Sequence, residues 1–206
     1  MEIEGRSARK RRAIVEAART VFLRSGYAGA SMDEVAALAE VSKQTVYKHF
    51  ADKERLFTEI IVGDIKTTEE RSDEIIESLP ASDDIDGDLR ALGRQIVVNV
   101  MQPRLVRLRR IIIGEVDRFP DVARTWFDSA PGRSYAMLAD RFGTLHSRGL
   151  LHTPDPMLAA QHFLWLVLSI PMNKAMFEVD ENPFTPEELE RFADEGVRVF
   201  MAAYGR

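Results

Sequence analysis

Cysteine is absent from this 206-residue chain, and its absence excludes disulfides, thiolate nucleophiles and cysteine-based zinc sites together. Long apolar runs are also lacking. The longest covers residues 163–170 and ends before Pro171, well short of the ~20 residues that a membrane-spanning helix needs. Residues 1–5 begin no apolar stretch of the signal-peptide kind. We therefore expect a cytoplasmic protein with no membrane partner.

Enzyme motifs are equally scarce. The four histidines, His49, His146, His152 and His162, do not have a metal-ligand spacing such as His-Glu-x-x-His. The sequence also contains neither a glycine-rich phosphate loop nor a Gly-x-Ser-x-Gly nucleophile motif. An enzyme with an all-helical fold is thus the weaker hypothesis, and we expect no catalytic residue, metal or cofactor.

An excess of positive charge is missing from the whole chain but present at one end. The net charge is −5. Residues 1–56 hold eleven Lys or Arg against eight Asp or Glu, whereas the remainder holds seventeen against twenty-five. A basic end on an acidic body indicates that only this end meets a polyanion, although a solvated helix start is the alternative. The basic cluster contains Arg6, Arg9, Lys10, Arg11 and Arg12, of which we take Arg9 and Arg11 as candidate DNA contacts.

Apolar residues follow helical spacing through most of the chain, and no segment alternates as a strand does. The sequence therefore predicts an all-α fold. The first helix should end at Gly26, a good C-terminal cap. The next helices should begin after cap residues, with a capping box from Ser31 to Glu34 and caps at Ser42 and Asp52. The second helix should bury Val35, Leu38 and Ala39.

Further helices are predicted beyond a fourth helix over residues 53–79 and a Ser/Asp-rich loop over residues 80–87. Proline and capping signals set their limits. We expect them at residues 89–101, at 103–118, after Pro120 and Pro131, at 155–177, and after the capping box from Thr185 to Glu188.

Residues 31–50 predict a helix-turn-helix, in which the second short helix lies in the major groove of DNA. Lys43, Gln44 and Thr45 occupy its first turn. Gln can bind adenine through two hydrogen bonds, Lys can reach guanine, and the Thr methyl group can touch that of thymine. Backbone N–H groups behind the Ser42 cap can face a phosphate.

The same helix continues with donors that suit phosphate oxygens, carried by Tyr47, Lys48 and His49. Val46 is placed to face inward, and Phe50 should anchor the end of the helix to the core. The alternative is a plain helical hairpin with a polar surface. A basic arm, an amphipathic helix, a Gly turn and two caps in register favour the DNA-binding interpretation.

Residues 9–57 resemble the DNA-binding domain of the TetR family. The string Val-Ser-Lys-x-Thr-Val-Tyr-x-His-Phe at residues 41–50 carries most of the resemblance. It implies a three-helix DNA-binding domain over residues 1–55 and a larger helical domain for ligand binding and dimerisation over residues 56–206. It also implies that Lys43, Gln44 and Thr45 read bases, whereas phosphates are contacted by Ser31, Tyr47, Lys48, His49 and Lys53.

One position departs from the family pattern. The turn before Val41 usually carries Gly in this family, and here it carries Glu40. A positive φ at a residue other than Gly costs on the order of 1 kcal/mol or more. Either Glu40 adopts this conformation, or the turn has a different geometry.

Residues 108–115 and 118–120 resemble the C-terminal domain of AefR-like repressors within the family. The resemblance implies a ligand cavity among the middle helices and a dimer interface built from the last two. We therefore expect a homodimeric, ligand-responsive repressor that binds a palindromic double-stranded DNA operator and is released by a small, largely apolar effector. A ligand-independent DNA-binding or division factor on the same scaffold is the alternative.

Candidate residues for the two C-terminal roles are apolar for the most part, and ordinary core packing is the alternative for each. The candidate ligand contacts are Val97, Met101, Leu105, Leu108, Ile112, Trp126, Phe127, Tyr135, Leu138, Phe142, His162 and Leu166. The candidate interface residues are Phe163, Leu164, Val167, Leu189, Phe192, Gly196 and Phe200.

Overall fold

The computed structural model describes residues 5–79, 82, 84–178, 180 and 183–206, with the backbone alone for residues 67–69. The described chain forms ten α-helices and no extended strand, which confirms the all-α prediction. A single π-helical turn, Asp128–Gly132, joins the seventh and eighth. In chain order the α-helices are α1 (Arg6–Gly29), α2 (Met32–Leu38), α3 (Lys43–His49), α4 (Lys53–Glu77), α5 (Ile85–Val100), α6 (Pro103–Gly114), α7 (Pro120–Phe127), α8 (Arg133–Ser147), α9 (Pro156–Phe177) and α10 (Pro186–Tyr204).

None of these helices, within the residues described, combines the length and apolar character needed to cross a membrane. The expectation that the chain carries no signal peptide rests partly on residues 1–4, which lie outside the described residues.

Several helix limits follow from the capping chemistry that the sequence predicts. The box at α10 is complete: the Thr185 backbone N–H donates to Glu188 Oε2 at 2.8 Å, and the Glu188 N–H donates to Thr185 Oγ1 at 3.3 Å. The box at α2 is only half formed. Ser31 Oγ accepts from the Glu34 N–H at 3.1 Å, but the Glu34 carboxylate pairs with Arg24 instead of the Ser31 backbone.

Three predicted limits differ from the observed ones. Gly26 does interrupt the first helix, with φ 67°, but helical backbone resumes and reaches Gly29. Helix α5 begins at Ile85, one turn early, because Asp84 caps it and accepts from the Gly87 N–H at 3.1 Å. The predicted loop over residues 80–87 is therefore shorter, and Pro80, Ala81 and Asp83 lie outside the described residues. Helix α6 ends at Gly114, four residues before the expected limit.

The chain divides into two compact units. The first comprises the described residues up to Ile65 together with Arg107–Thr125, and the second comprises Lys66–Val106 with Trp126–Arg206. The functional division at residue 55 stays a prediction, because the compact units follow a different division of the chain.

The first unit, which we call the headpiece, is built around an aromatic cluster. Phe57 lies edge-on to Phe22 and Tyr27, with ring centroids 5.2 and 5.0 Å away. Phe119, from the segment Arg107–Thr125, packs edge-on against Tyr27 at 4.8 Å and tilted against Phe57 at 5.1 Å. These contacts make this distant segment part of the headpiece core.

The second unit packs α5, α8, α9 and α10 around three buried rings. Phe142, Phe163 and Phe200 lie 5.2–5.6 Å apart, centroid to centroid. Helices α9 and α10 approach so closely that a Cβ atom at Gly196 would lie 2.6 Å from the Leu166 carbonyl oxygen. Only glycine fits this helix crossing without backbone movement.

Candidate nucleic-acid interface

Helix α3 is anchored on one side and exposed on the other. Val46 is fully buried and Phe50 is 3% exposed, in agreement with their predicted inward placement. Gln44 and Lys48 are exposed, and Tyr47 is 44% exposed although it is a large aromatic side chain. The helix therefore presents a polar surface on a support that cannot rotate without exposing its apolar anchors.

The turn that leads into α3 resolves the two possibilities for Glu40. Its φ is 53°, the one positive value at a non-glycine residue in the described chain. The Val41 N–H donates to the Ala36 carbonyl at 3.0 Å, and the Glu40 N–H donates to that of Ala37 at 3.2 Å. This pair of bonds is the Schellman motif that glycine normally completes. Glu40 thus adopts the strained conformation and the turn keeps its usual geometry.

The three predicted base-reading residues differ in how they are held. Gln44 is exposed. Thr45 Oγ1 shares a 2.8 Å hydrogen bond with Ser42 Oγ, which also accepts from the Thr45 N–H at 3.2 Å. Lys43 Nζ lies 2.7 Å from Asp33 Oδ1, and this bond raises the pKa of the Lys43 ammonium group. Asp33 was not predicted as a partner of Lys43, although an acid on α2, the helix that precedes α3, is the kind of residue that could pair with it.

The predicted phosphate contacts differ in their exposure and in whether the protein already pairs them. Arg9 and Lys48 are exposed side chains, and the Ser31 hydroxyl keeps its hydrogen to donate because its oxygen accepts from the backbone. His49 is half-buried. Arg11 pairs with Glu59 on α4, and its guanidinium carbon lies 5.2 Å from the Phe50 ring centroid. Arg11 therefore also packs α1 against α4 and the end of α3.

Lys53 sits in an unusual environment at the start of α4. Its Nζ lies 4.6 Å from the Tyr27 ring centroid and donates to the Ala28 carbonyl at 3.4 Å. Partial burial lowers the pKa of Lys53, and the positive charge of Arg118 lowers it further. Arg118 was not predicted at this site, because no local sequence pattern indicates that residues 53 and 118 lie together.

Leu38 corrects one prediction about α2. It is 51% exposed, whereas Val35 is buried as predicted, together with Met32 and Ala36. The helix has only seven residues, so its buried arc is narrow and Leu38 lies beyond its edge, while Ala39 is half-buried.

The candidate ligand contacts are divided between the two units, with Leu108 and Ile112 buried in the headpiece and the others in the second unit. Phe127 is exposed, and His162 Nδ1 lies 2.6 Å from the Tyr204 hydroxyl at the surface. The buried members of the second unit are Val97, Met101, Leu138 and Phe142; the half-buried ones are Leu105, Trp126, Tyr135 and Leu166.

The candidate interface residues lie mostly inside the chain's own core. Five of them are buried in the second unit, namely Phe163, Leu164, Val167, Gly196 and Phe200, whereas Leu189 and Phe192 are half-buried. The same two helices expose other apolar side chains: Leu158, Trp165, Ile170, Phe177 and Val199. The most exposed apolar side chains that α9 and α10 offer to a partner are therefore not among the predicted interface residues, although Leu189 and Phe192 can still contribute.

Two family models match the chain. Residues 14–60 match the tetR family of bacterial regulatory proteins, and residues 87–206 match the C-terminal domain of AefR-like transcriptional repressors. Among curated proteins, an HTH-type transcriptional regulator, YhgD of Bacillus subtilis, is 39% identical over 99 residues, which are 45% of this chain and 52% of YhgD. An HTH-type transcriptional repressor of Streptomyces coelicolor is 33% identical over 96 residues, 46% of this chain and 45% of the repressor. The match thus spans about half the length of these curated relatives.

Solved structures match over nearly the whole chain. A crystal structure of a protein assigned to the TetR family of transcriptional regulators, from Mesorhizobium loti, is 42% identical with a TM-score of 0.88, covering 98% of this chain and all of that one. The flavonoid-responsive regulator FrrA is 30% identical with a TM-score of 0.71, covering 96% and 97% of the two chains. These relatives are transcription regulators and not enzymes, so the helical-enzyme hypothesis is not retained. Domain matches, headpiece geometry and overall fold agree, and the chain belongs to the TetR family of transcriptional regulators, with a C-terminal domain of the AefR-like type.

Proposed function

We propose that this chain is a homodimeric repressor that binds a palindromic operator and is released by a small, largely apolar effector. The main support for the proposal is that α3 has one buried apolar side and one exposed polar side. Gln44, Tyr47 and Lys48 are exposed on a seven-residue helix that Val46 and Phe50 fix to the headpiece. A short, rigidly held helix with polar groups outward is what insertion into a major groove requires.

The proposed contacts divide into base reading and backbone positioning. Gln44 and Thr45, with Lys43, read base edges in the first turn of α3. Ser42 adds backbone donors behind its cap. The phosphate contacts are Ser31, Tyr47, Lys48, His49, Lys53, Arg9 and Arg11. Residues 1–55 serve DNA binding, and residues 56–206 serve dimerisation and effector binding.

The experiment begins with selection of duplexes from a random pool by the purified protein, followed by binding measured at several salt concentrations. Gln44→Ala should change the selected sequence, because a base contact carries sequence preference. Lys48→Ala should keep the selected sequence but lower the salt slope by ~0.9, the value for one lost phosphate contact. The two variants are matched controls, since both residues are exposed on the same helix.

Two results would contradict the proposal. One is an unchanged selected sequence in Gln44→Ala together with an unchanged salt slope in Lys48→Ala. The other is a selected sequence that lacks two half-sites about 34–36 Å apart, the spacing that two α3 helices of a dimer need.

Dimerisation is proposed through the exposed faces of α9 and α10. Trp165 and Ile170 are 56% and 59% exposed, and Val199 on α10 is exposed as well. Apolar side chains of this size on neighbouring helices indicate a contact surface. Two such helices from each protomer would form a four-helix interface, the arrangement that bundle packing favours.

The effector is proposed to bind within the second unit, where all the candidate ligand contacts except Leu108 and Ile112 lie. Support for an apolar, aromatic effector comes from FrrA, which is flavonoid-responsive and 30% identical to this chain. Helix α4 contributes residues to both compact units, so a shift of α4 is the proposed route from effector to headpiece. The effector acts only through its differential affinity for the DNA-bound and released states, typically ~1–3 kcal/mol.

Calorimetry with a panel of flavonoid aglycones tests the effector class on the intact dimer. We expect at least one to bind and to weaken operator binding by about 5- to 150-fold at saturation. A ligand that binds without changing operator affinity would contradict the effector role, and a panel without any binding would exclude this class.

A further inference from the structure

Two cations share one aromatic ring in the headpiece. Lys53 Nζ and the Arg118 guanidinium carbon each lie 4.6 Å from the Tyr27 ring centroid. Lys53 begins α4, whereas Arg118 belongs to the turn before α7. The two positive charges are close enough for Arg118 to lower the pKa of Lys53. Like charges held this close repel each other, and an anion bound by both of them would relieve the repulsion.

The nearby carboxylate of Glu115 counters part of the effect of Arg118 on the pKa of Lys53, but it forms no salt bridge with either cation in the described chain. Arg11 and Arg24 of the headpiece are paired with Glu59 and Glu34. By contrast, no salt bridge joins Lys53 or Arg118 to an acid anywhere in the described chain, although Arg118 is exposed. Within the described residues, the Arg118 guanidinium lies over the rings of Tyr27 and Phe119. Since no described residue accepts a hydrogen bond from the Arg118 guanidinium, its N–H donors can face a ligand outside the protein.

The position of Arg118 is fixed by its neighbour. Phe119 is 6% exposed and packs against Tyr27 and Phe57 in the headpiece core. The backbone at Arg118 therefore moves with the headpiece. Stacking on Tyr27 restricts the side chain as well, so binding through it would cost little conformational entropy.

We propose that Arg118 is a further DNA-backbone contact, which together with Lys53 forms a two-cation clamp on a single phosphate group, with the Tyr27 ring as its platform. The proposal rests on the proposed function, since Lys53 is one of its phosphate contacts. A guanidinium group suits this task because its planar fork binds two phosphate oxygens at once. Arg118 would extend the DNA contact beyond the helix-turn-helix to a segment that lies some sixty residues later in the chain.

The test compares Arg118→Gln with Arg124→Gln in the full-length protein. Arg124 lies in the same segment of the headpiece, but it is paired with Asp121 at the surface. Binding is measured at several salt concentrations on a duplex selected by the unaltered protein and on an unrelated duplex of equal length. Arg118→Gln should lower the salt slope by ~0.9 on both, which corresponds to about fivefold weaker binding at 0.15 M salt. Arg124→Gln should leave both values unchanged.

Two further variants separate charge from packing. Lys53→Gln should lower the slope by a similar ~0.9, and Arg118→Lys should keep the unaltered slope because it keeps the charge. An unchanged slope in Arg118→Gln, with or without a lower melting temperature, would overturn the clamp and leave Arg118 a packing residue. Equal losses in Arg118→Gln and Arg124→Gln would overturn it too, since they indicate a long-range effect of net charge. If the unaltered protein binds neither duplex, the proposed function itself fails.

Discussion

At the scale of single residues, an ion pair with Asp33 holds the Lys43 side chain in the protein without DNA. Lys43 Nζ lies 2.7 Å from Asp33 Oδ1, and both side chains are more than half exposed. An exposed pair of this kind contributes little stability, about 0–1 kcal/mol. Its consequence is instead for the proposed DNA binding, because a Lys43 side chain that reads a base would have to leave Asp33 or share its donors with it.

We expect Asp33→Asn to strengthen DNA binding on unrelated duplexes several-fold at low salt. The substitution frees Lys43 and removes a negative charge close to the DNA. Fluorescence anisotropy over a range of salt concentrations measures the effect. Asp140→Asn, which makes the same charge change on an exposed residue of the second unit, is the control and should have no effect. Equal or weaker binding by Asp33→Asn would show that the pair does not restrain Lys43.

Residue-level predictions succeeded where the chemistry is local and failed where it depends on a second helix. The Ser42 cap and the buried Val46 followed from spacing along the chain. The Glu34 carboxylate was expected at the Ser31 backbone but pairs with Arg24, ten residues earlier on α1. No sequence pattern determines which of two nearby partners a carboxylate chooses.

At the scale of elements, two Schellman turns end helices with different residues in the same conformation. Glu40 completes one with φ 53°, and Gly149 completes the other with φ 75°. In the second turn the Leu150 N–H donates to the Leu145 carbonyl at 3.0 Å. A side chain at a positive φ costs about 1–2 kcal/mol, so the turn before α3 stores strain that the turn after α8 avoids.

Glu40→Gly should therefore stabilise the protein, by about 0.5–1 kcal/mol once the extra freedom of Gly in the unfolded chain is subtracted. Gly149→Ala should destabilise it by about 1 kcal/mol for the opposite reason. Urea unfolding at one fixed protein concentration measures both. Destabilisation by Glu40→Gly would mean that the Glu40 side chain contributes more than its backbone strain costs.

A bidentate ion pair joins α5 to α10. Arg94 Nε and Nη2 donate to the two carboxylate oxygens of Asp194 at 2.8 and 2.7 Å. The hydrogen bonds from Arg94 hold the pKa of Asp194 below its usual value. A carboxylate with a lowered pKa stabilises the fold above its unfolded-state pKa of about 3.9, and this contribution is lost as the pH falls through the lower folded-state value.

Asp194→Asn should accordingly lower the free energy of unfolding by about 1 kcal/mol or less at pH 7. The difference from the unaltered protein should shrink as the pH is lowered through the folded-state pKa. Glu195→Gln, which breaks a surface pair with Arg198 on the same helix, is the control and should change little. A difference that persists undiminished in acid would show that the loss is not electrostatic.

Helix existence could be predicted from the sequence, but helix limits only in part. The caps at α2, α3 and α10 lie where the Ser and Thr signals place them. Helix α5 starts early because Asp84, and not a later residue, provides the cap. Several aspartates in that stretch are equally good caps, so composition alone does not choose between them.

At the scale of the whole molecule, α9 and α10 show that apolar periodicity does not separate core side chains from surface side chains. The pattern correctly indicates which helices are rich in apolar surface. It does not separate side chains that pack inside the protomer, such as Phe163 and Phe200, from those left at the surface, such as Trp165 and Val199. Both sets have helical spacing, and only the packed fold assigns them to different faces.

Trp165→Glu should shift the protein from dimer to monomer in sedimentation. Operator binding should weaken strongly, because a monomer can bind only one half-site at a time. Val98→Glu, at an exposed position on α5, is the matched control and should remain dimeric. Substitution of Phe200 is unsuitable as a test, since its burial means that an acid there would unfold the second unit. A Trp165→Glu protein that stays dimeric would place the interface elsewhere.

The headpiece is discontinuous, since residues 107–125 complete a core that begins with α1. This arrangement determines which segments a hybrid regulator must contain. A hybrid sensor made by grafting only the amino-terminal segment onto another regulator would leave Tyr27 and Phe57 without the ring of Phe119. A transplant that includes both stretches, or that supplies an equivalent aromatic from the recipient, should preserve the donor's operator preference.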